Sequence, residues 1–480
     1  MGHQSTPELP SKADIVIIGS GITGASIARF LDTDPRAAGK SVVMLDAREV
    51  CWGATGRNGG HCQPLPFDRS PDVAAFEFKN VEAVRSYIEQ NDIPCEWRLV
   101  TACRLLFDNR AFTAARIAID KLKKVEVEVG KRIRTLTGSQ KADLDRIRVQ
   151  DGVAGVTMTE GALQLWPYKY VTFIIEKLVK EGRINLQTHT PVTNIEDIGG
   201  KNARKLVCTP RGNIAALHVV LATNGYTSHI LPDFQSLIVP MRCEMSALHP
   251  PEGSERLSNS YGMAGFEGDN PEHLDYLVQR PFYRSADGKR QGGHLMFGGG
   301  LSYATYDCIG QTDDDIVDIG EASYLRRALL KMIRLGGNAE SLKELKASHQ
   351  WTGIKGYSRD NMPWVGKVPR WQGSTWSFDR EGLWLAGGYS GHGMPNATLC
   401  GKAIVEMILS EDTQGSLAYE AVCESLVTSK DLPSSYLITK RRLQAAMNLP
   451  TVAQQDKLIG STNLSLTPSI QDSESKGSKL

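Results

Sequence analysis

The stretch DIVIIGSGITGASIARFL, Asp14–Leu31, contains the pattern that decides the fold. It begins with an apolar run, passes through Gly19, Gly21 and Gly24 in the spacing G-x-G-x-x-G, and continues as an amphipathic segment. A second apolar run, SVVML, follows and ends at Asp46. Short apolar runs indicate buried strands, and the segment between them has helical periodicity. This order predicts a strand, a helix and a second strand parallel to the first, as in an α/β protein.

The glycine spacing has a physical purpose at the turn between the first strand and the helix. The first glycine permits a tight turn, the second lets a pyrophosphate approach the backbone, and the third lets the helix pack on the strand. The N–H groups at the start of the helix then face the phosphates. Asp46 lies 22 residues after Gly24, where an acid accepts hydrogen bonds from a ribose and repels the 2′-phosphate of NADP. We therefore predict a dinucleotide site for FAD or NAD.

The overall composition argues against several other classes of protein. The 480 residues carry 55 basic and 54 acidic side chains, a balance that gives no reason to expect a nucleic-acid or membrane partner. The nine cysteines are scattered without a C-x-x-C pair, which indicates reduced thiols and no metal site. No apolar stretch approaches the length of a membrane-spanning helix. We expect a folded protein with neither a metal centre nor a membrane segment.

The remaining sequence indicates that the dinucleotide lobe is discontinuous. A strand, a glycine-rich loop and a long helix return late in the chain, in GLWLAGGYSGHGMPNATLCGKAIVEMIL. Because a glycine loop between a strand and a helix suits a cofactor site, we assign this segment to the first lobe. The predicted parts are an N-terminal arm over 1–12, a discontinuous Rossmann-like domain over 13–75, 153–245 and 346–425, an interleaved α+β substrate-binding domain over 76–152 and 246–345, and a flexible tail over 450–480.

Five blocks of the sequence, taken in order, resemble one known family. After the glycine fingerprint come GATGRNGGHCQP (53–64), TPVTNI (190–195), VVLATNG (219–225) and the closing glycine loop with its helix (382–409). Together they resemble the FAD-dependent oxidoreductases of the D-amino-acid and glycine oxidase superfamily, which includes sarcosine oxidase and gamma-glutamylputrescine oxidase. The resemblance extends from about Asp14 to about Leu409, and GRNGG is similar to the gamma-glutamylputrescine oxidase branch. It implies that the Rossmann-like domain binds FAD.

The resemblance also implies which residues hold the cofactor. They are, for the ADP half, Gly19, Gly21, Ile22, Thr23, Gly24, Asp46, Ala47 and Arg48; for the ribityl chain and ring, Thr55, Gly56, Arg57, Asn58, Gly59 and Gly60; for the adenine region and the cofactor channel, Val192, Ala222 and Thr223; and for the loop at the ring's pyrimidine edge, Gly388, Gly391, His392, Gly393 and Met394. N–H groups in that last loop would stabilise the negative charge that reduction places on the ring. Gly353 stands where sarcosine oxidases anchor the flavin through a cysteine, so we expect non-covalent FAD.

Four residues are candidates for the substrate pocket, namely Lys355, Tyr357, His61 and Met296. Lys355 stands where glycine and D-amino-acid oxidases have an arginine that clamps the substrate carboxylate, and a lysine holds a planar carboxylate less specifically. Met296 replaces the lysine with which sarcosine oxidases speed the reaction with oxygen. Pro395 replaces another lysine of those enzymes, which favours an amine larger than a simple N-methyl amino acid. Further candidates for aromatic walls are Trp52, Trp166, Trp351 and Trp364.

The resemblance implies an activity in which a hydride leaves the carbon next to an amine. The product is an imine that water hydrolyses to an aldehyde, and the acceptor of the electrons is O2, which becomes hydrogen peroxide. No acid or base is required for the hydride step, so we assign no catalytic residue. Two alternatives stay open: oxidation of an alcohol or hydroxy acid by the same cofactor, and a flavin-binding protein without catalysis.

The last three residues, Ser478, Lys479 and Leu480, form a peroxisomal targeting signal that an import receptor reads. Peroxide made beside catalase gives such a signal a chemical purpose. The sequence therefore predicts a peroxisomal location, with a cytoplasmic one as the alternative.

Overall fold

The computed structural model describes residues 2–199, 204–269, 273–415 and 418–461. Its strands are, in chain order, β1 Lys12–Ile18, β2 Val42–Leu45, β3 His61–Cys62, β4 Arg98–Leu106, β5 Ile133–Thr137, β6 Gly155–Gln164, β7 Asn185–Gln187, β8 Asn194–Asp197, β9 Lys205–Thr209, β10 Gly212–Leu221, β11 Ile238–Leu248, β12 Ser260–Ala264, β13 Asp275–Gln279, β14 Phe282–Arg284, β15 Arg290–Gly292, β16 Leu295–Gly298, β17 Ala347–Ser358, β18 Trp364–Lys367, β19 Arg370–Trp371, β20 Trp376–Ser377 and β21 Leu383–Gly387. Its α-helices are α1 Ile22–Thr33, α2 Ala54–Arg57, α3 Pro71–Gln90, α4 Asn109–Val125, α5 Val127–Lys131, α6 Lys141–Arg146, α7 Pro167–Lys180, α8 Thr227–Ile230, α9 Ile319–Met332, α10 Ala397–Gln414, α11 Ala418–Thr428, α12 Lys440–Asn448 and α13 Val452–Ser461.

Two large sheets contain most of the strands. The first has the order β18-β21-β10-β1-β2-β7, and β9 and β8 continue it from β10. The second has the order β17-β11-β16-β13-β12-β4-β6-β3, and β5 pairs with β6. Two small hairpins, β14 with β15 and β19 with β20, stand apart from both sheets. The molecule thus consists of one mostly parallel sheet and one mostly antiparallel sheet.

The first sheet is built around β1, which pairs in parallel with β10 on one side and β2 on the other. Because successive side chains of a strand point to opposite faces, a fully buried strand needs cover on both. Ile15 and Ile17 pack into a core that includes residues of α1, α7 and α10, whereas Val16 and Ile18 pack into a separate core on the other face. This arrangement confirms the predicted α/β class and its Rossmann-like domain.

The second sheet contains strands from parts of the chain that the sequence assigned to the dinucleotide lobe. Four strands of the second sheet, β3, β6, β17 and β11 up to residue 245, fall in ranges that the sequence assigned to the dinucleotide lobe. They join the second sheet because β6 pairs antiparallel with β4, and β11 pairs antiparallel with both β16 and β17. A run of alternating or apolar residues predicts a strand without saying which sheet it joins. We therefore propose a division in which β6, β11 and β17 belong to the substrate lobe.

The predicted N-terminal arm packs along the edge of the first sheet. The Ser5 N–H donates to the Leu186 carbonyl at 2.9 Å, and the Thr188 N–H donates to the His3 carbonyl at 3.1 Å. These bonds cover the outer edge of β7, which would otherwise present unpaired backbone groups.

The first part of the segment predicted as a flexible tail contains a helix, since residues 452–461 form α13. Val452 is buried, and the Gln455 side chain donates to the Arg359 carbonyl at 2.9 Å. The buried Val452 side chain and the side-chain hydrogen bond of Gln455 hold this helix against the rest of the protein. Neither residue is recognisable as a packing residue in a polar sequence. Residues 462–480 lie outside the described residues.

None of the helices within the described ranges is long and apolar enough to span a bilayer. The same residues contain no group of three or more His, Cys, Asp or Glu side chains arranged to hold a metal ion.

Candidate active site

One large cavity, of about 1940 Å³, begins at the carboxyl ends of β1 and β2 and is lined by residues of both sheets. The predicted positions that line it are Gly19, Gly21, Ile22, Thr23, Asp46, Ala47, Arg48, Thr55, Arg57, Asn58, His61, Val192, Ala222, Thr223, Lys355, Tyr357, Gly391, His392, Gly393 and Met394. The predicted positions outside the lining are Gly24, Gly56, Gly59, Gly60, Gly388 and Met296. The fold therefore brings together residues that are hundreds of positions apart in the chain.

Close contacts at the turn after β1 require the glycines of the fingerprint. Gly19 has a φ of +106°, and a Cβ added to it would lie 2.6 Å from a carbonyl oxygen just after β10. A Cβ on Gly24 would lie 2.0 Å from the Gly19 carbonyl oxygen. Gly21 is the N-cap of α1 and has no side chain that could accept hydrogen bonds from the N–H groups of the first turn. One of these groups, the Ile22 N–H, donates to Thr55 Oγ1 at 3.1 Å. The remaining N–H groups of that turn are available to a ligand in the cavity.

Hydrogen bonds from the glycine loop after β1 and from Arg48 hold the Asp46 side chain at the cavity wall. Its Oδ2 accepts hydrogen bonds from the N–H and the hydroxyl of Ser20, and its Oδ1 accepts one from the Arg48 N–H at 2.9 Å. The Ser20 hydroxyl oxygen in turn accepts from the Cys51 N–H. Ser20 occupies a variable position of the glycine pattern, which is why sequence reasoning missed it.

Asp314 joins two arginines that the resemblance assigns to the cofactor. Both of its carboxylate oxygens accept hydrogen bonds from Arg48 Nη1 at 2.9 Å. Arg57 Nε lies 3.3 Å from Asp314 Oδ2, and Arg57 Nη1 donates to the Asp314 carbonyl at 3.1 Å. Asp314 is buried and lines the cavity, and it comes from a stretch of three consecutive aspartates with no motif around it. Only the folded chain reveals this contact.

Helix α3 holds the glycine loop that precedes α10. The Asn80 side chain donates to the Met394 carbonyl at 3.1 Å and accepts from the Leu399 N–H at 2.9 Å. Glu77, which is completely buried, accepts from the Asn396 side chain at 3.1 Å. These bonds fix the end of the loop and the first turn of α10 to one helix.

Glu77 also faces the histidine of that loop, with His392 Nε2 3.2 Å from Glu77 Oε1. Burial alone would raise the pKa of Glu77, but the charges of His392 and Arg69 more than offset this and hold it below the ordinary value. Glu77 is therefore a buried carboxylate that carries its charge at neutral pH. His392 contacts this carboxylate and lines the cavity.

Lys355 lies in the cavity beside the same loop. A Cβ on Gly391 would lie 3.0 Å from Lys355 Cδ and 3.5 Å from its Nζ. Burial opposes the charge of Lys355, but Cys243, Tyr357 and Tyr276 together hold its pKa above the ordinary lysine value. Burial also raises the pKa of the Cys243 thiol. At neutral pH the pocket thus contains a cation beside a neutral thiol.

His61 and Tyr276 line the same cavity, with stacked rings whose centroids are 5.8 Å apart. The Tyr276 hydroxyl accepts a hydrogen bond from the Gly59 N–H at 2.8 Å, and His61 Nε2 lies 3.0 Å from Ser260 Oγ. Burial, reinforced by the nearby charge of His392, lowers the pKa of His61 to about 3, so the ring is neutral. Tyr276 comes from β13, whose sequence contains no recognisable motif.

Met296 and the four tryptophans predicted for the substrate pocket do not line the cavity. Met296 packs behind the cofactor loop, since a Cβ on Gly59 would lie 3.2 Å from the Met296 Cβ. The tryptophans predicted as walls are absent from the lining: Trp52 and Trp166 are exposed, Trp351 donates its Nε1–H to the Arg57 carbonyl, and Trp364 is buried in the core of the first sheet. Of the predicted aromatic walls, only Tyr357 lines the cavity.

The residues present fit FAD in three respects. A glycine turn offers N–H groups for a pyrophosphate, Asp46 stands at the end of β2 for a ribose, and a clamped glycine loop meets a pocket with a fixed cation. A dinucleotide cradle that opens into a substrate-sized pocket defines the chain as a flavin-dependent oxidoreductase. The family described as FAD dependent oxidoreductase (DAO) matches residues 14–407, and the chain belongs to this family.

Curated relatives are oxidoreductases. The chain is 25% identical over 425 residues to a probable oxidoreductase OrdL of Rhizobium meliloti (strain 1021), a match that covers 84% of each chain. It is 23% identical over 409 residues to the gamma-glutamylputrescine oxidoreductase of Escherichia coli (strain K12), which covers 82% of this chain and 83% of the relative. These matches agree with the resemblance read from the five sequence blocks.

Solved structures share the fold. An L-proline dehydrogenase from P. horikoshii superposes with a TM-score of 0.63 at 21% identity, and covers 86% of this chain and 96% of its own. A glycine oxidase from Geobacillus kaustophilus superposes with a TM-score of 0.64 at 18% identity, and the match covers 83% of this chain and 95% of the oxidase. At these identities the likeness establishes the architecture.

The predicted peroxisomal location is wrong. The curated relatives come from Rhizobium meliloti, Haemophilus influenzae and Escherichia coli, and bacteria have no peroxisomes. These relatives support the cytoplasmic alternative. The residues on which the prediction was based, Ser478, Lys479 and Leu480, lie outside the described residues.

Proposed function

We propose that this FAD-dependent oxidoreductase oxidises a small amine at the carbon next to the nitrogen, holds FAD without a covalent bond, and passes the electrons to O2. The observation that carries the proposal is the cation of Lys355 in the pocket beside Gly391. Two relatives named above, gamma-glutamylputrescine oxidoreductase and glycine oxidase, are named for substrates with an amino group, which supports an amine.

Lys355 favours the reactive form of an amine. An ammonium group has no lone pair with which to expel a hydride, so the substrate must be neutral at the moment of reaction. A positive charge in a partly buried pocket lowers the pKa of an amine bound near it. His61 is neutral and lines the same pocket, so its ring can accept a hydrogen bond from the substrate N–H.

FAD, when bound, supplies an acceptor for the hydride and thus for two electrons. The substrate loses the hydride from carbon and a proton from nitrogen, which leaves an imine, and water converts the imine into a carbonyl compound and ammonia or a smaller amine. The N–H groups of Gly391, Gly393 and Met394 would stabilise the negative charge that the cofactor acquires, whereas the His392 N–H donates to the Tyr389 carbonyl. Glu77 and Asn80 keep this loop in place. Two electrons and two protons then reduce O2 to hydrogen peroxide.

A turnover assay with product analysis tests this proposal. The holoenzyme is mixed in air with primary and secondary amines, amino acids, alcohols and hydroxy acids, and ammonia, carbonyl product and peroxide are quantified. We expect equal amounts of carbonyl product and peroxide from an amine. Turnover of alcohols alone would establish the alternative chemistry, and no peroxide during amine turnover would show that another acceptor is used. Acid precipitation should leave the FAD in the supernatant, because Gly353 has no side chain to anchor it.

The pH dependence of kcat tests the role of Lys355. In Lys355→Met the bound amine loses its neighbouring cation, so its pKa rises and the ascending limb of kcat moves to higher pH by about one unit. Lys355→Arg keeps the charge and should keep the limb near its original position. An unchanged limb in Lys355→Met, with kcat lowered equally at all pH values, would contradict this role.

A further inference from the structure

Helix α13 forms one side of the cavity at the place where the cavity reaches the surface of the substrate lobe. Val452, Gln455 and Asp456 of this helix line the cavity. Gly268 and Ser302, two exposed residues of the substrate lobe, line it as well. A solute that enters the cavity at this end therefore passes beside α13.

The helix before α13 is firmly anchored. Arg442 of α12 donates from Nε and Nη2 to the two carboxylate oxygens of Asp360, at 2.8 and 3.0 Å, and Leu443 is fully buried in a core of the first sheet. Arg359 Nε donates to the Leu449 carbonyl at 3.1 Å, so the anchoring extends to the residue that follows α12. These contacts provide a fixed point from which the next helix can move.

The described side chains of α13, those of 452–456, hold it less firmly. Val452 is buried, and the Gln455 side chain donates to the Arg359 carbonyl at 2.9 Å. A further contact comes from the substrate lobe, where His273 Nε2 lies 3.4 Å from Asp456 Oδ1. Elements with few buried contacts open at a low cost in free energy, and the lids of active sites are drawn from such elements.

Hydrogen bonding assigns a proton to one ring nitrogen of His273. The Ser302 hydroxyl donates its hydrogen to Asp269, and the same hydroxyl oxygen lies 2.7 Å from His273 Nδ1. Because a hydroxyl has a single hydrogen, Nδ1 must carry the hydrogen of this second bond and donate it to Ser302. A neutral ring then has no hydrogen on Nε2, the atom that faces Asp456. Only the protonated ring can donate a hydrogen bond to Asp456.

Protonation of His273 therefore decides whether its contact with Asp456 is attractive. In the imidazolium a positive charge and an N–H face the carboxylate, whereas in the neutral ring a lone pair faces it. Two further carboxyl groups act on the ring. Asp269 Oδ1 lies 3.9 Å from Nδ1, and Asp275, whose pKa burial raises to about 7, is close enough to interact with the charge of the ring.

We propose that α13 is a lid over the substrate-lobe end of the cavity, and that protonated His273 latches the lid closed through Asp456. At low pH the imidazolium holds α13 against the substrate lobe. As the pH rises and the ring loses its proton, the latch is released and solutes reach the flavin more readily. The inference concerns access to the cavity and holds for any substrate that the pocket oxidises.

The test measures how fast a neutral nitroxide, 4-hydroxy-TEMPO, shortens the fluorescence lifetime of FAD in the holoenzyme between pH 6 and pH 8. No amine is turned over, so the result is independent of the proposed amine chemistry. We expect the bimolecular quenching constant of the wild type to rise about two- to fivefold with pH, the factor that an ion pair near the surface supplies. In Asp456→Ala the constant should be high already at pH 6 and should not change with pH.

Controls separate the latch from other groups that titrate in the same range. Glu424→Ala removes an exposed carboxylate from α11 outside the cavity and should behave as the wild type does. His273→Phe should give a high constant at every pH. A pH dependence that persists in His273→Phe would assign the effect to Asp275 or another group and would overturn the latch.

A further variant tests the lid without the latch. Gln455→Ala removes the bond to the Arg359 carbonyl and leaves Asp456 in place, so it should raise the quenching constant across the whole pH range. This measurement replaces that on Asp456→Ala if the latter fails to fold. A wild-type constant that does not change with pH would overturn the latch, and a Gln455→Ala constant equal to that of the wild type would overturn the lid.

Discussion

At the scale of single residues, Asp314 holds two arginines that the resemblance assigns to the cofactor. It is a buried carboxylate that accepts two hydrogen bonds from Arg48 and lies within 3.3 Å of Arg57. The Tyr226 hydroxyl also donates to it at 3.4 Å. Without this anion, both arginines would have to find other partners, and the wall that the cofactor meets would be less well defined.

We expect Asp314→Asn to weaken FAD binding by about tenfold, because hydrogen bonds to charged groups contribute roughly 1.5–3 kcal/mol. The dissociation constant of FAD is measured by adding it to the apoprotein. Asp315→Asn removes the same charge from the next, exposed residue and serves as the control. Equal affinities for the two variants would show that Asp314 does not position the arginines.

Residues of the glycine turn could be predicted from sequence, whereas Asp314 and Tyr276 could not. The positive φ of Gly19 and the contact of Gly24 with the Gly19 carbonyl arise within one short strand, turn and helix, so the glycine spacing alone reports this geometry. Asp314 meets Arg48 across 266 positions, and Tyr276 meets Gly59 across 217. Contacts of that range depend on tertiary packing, and no local pattern records them.

At the scale of elements, α3 connects the substrate lobe to the loop before α10. Asn80 bonds to the Met394 carbonyl and to the Leu399 N–H, so one side chain spans the end of the loop and the first turn of the helix. The sequence predicted the loop and the helix, but not that another helix clamps them. The polar residues of α3 lie within an otherwise ordinary helical pattern, which gives no sign of their partners.

Asn80→Ala should destabilise the protein by about 1–3 kcal/mol, because it leaves the buried Leu399 N–H without its acceptor and the Met394 carbonyl with only the weak thiol donor of Cys62. It should also weaken FAD binding, since the loop lines the cavity. Urea unfolding and FAD titration measure the two effects. Asn91→Ala, at the C-cap of the same helix and away from the loop, is the control. Retention of wild-type FAD affinity by Asn80→Ala would show that the clamp is dispensable.

At the scale of the whole molecule, the cavity is the region where two sheets of different type meet. The parallel sheet supplies the dinucleotide turn, and the antiparallel sheet supplies Lys355, Tyr276 and Arg104. The sequence predicted the class of the fold correctly, but its division of the chain into lobes did not anticipate that β6, β11 and β17 belong to the antiparallel sheet. Both sheets bury apolar strands, so composition could not distinguish them.

The second sheet contains buried acids that make stability depend on pH. Burial raises the pKa of Asp275 to about 7 and that of Glu244 to about 8, well above their values in an unfolded chain. Between about pH 5 and pH 8 the folded state therefore binds more protons than the unfolded state, so the free energy of unfolding falls as pH rises.

Each such group contributes a slope of at most about 1.4 kcal/mol per pH unit within this window. Glu244→Gln removes one titrating group and should make the dependence shallower. Glu252→Gln, an exposed glutamate on the following turn, should leave it unchanged. Urea unfolding across the window measures the slopes, and a Glu244→Gln slope identical to that of the wild type would contradict the raised pKa.

The most direct test of the proposed amine chemistry is anaerobic mixing of the purified holoenzyme with a panel of amines while the flavin absorbance is recorded. We predict that at least one amine bleaches the yellow flavin, and that admission of O2 restores the colour with formation of peroxide. A flavin that dithionite bleaches but that no amine in the panel bleaches would contradict the proposal.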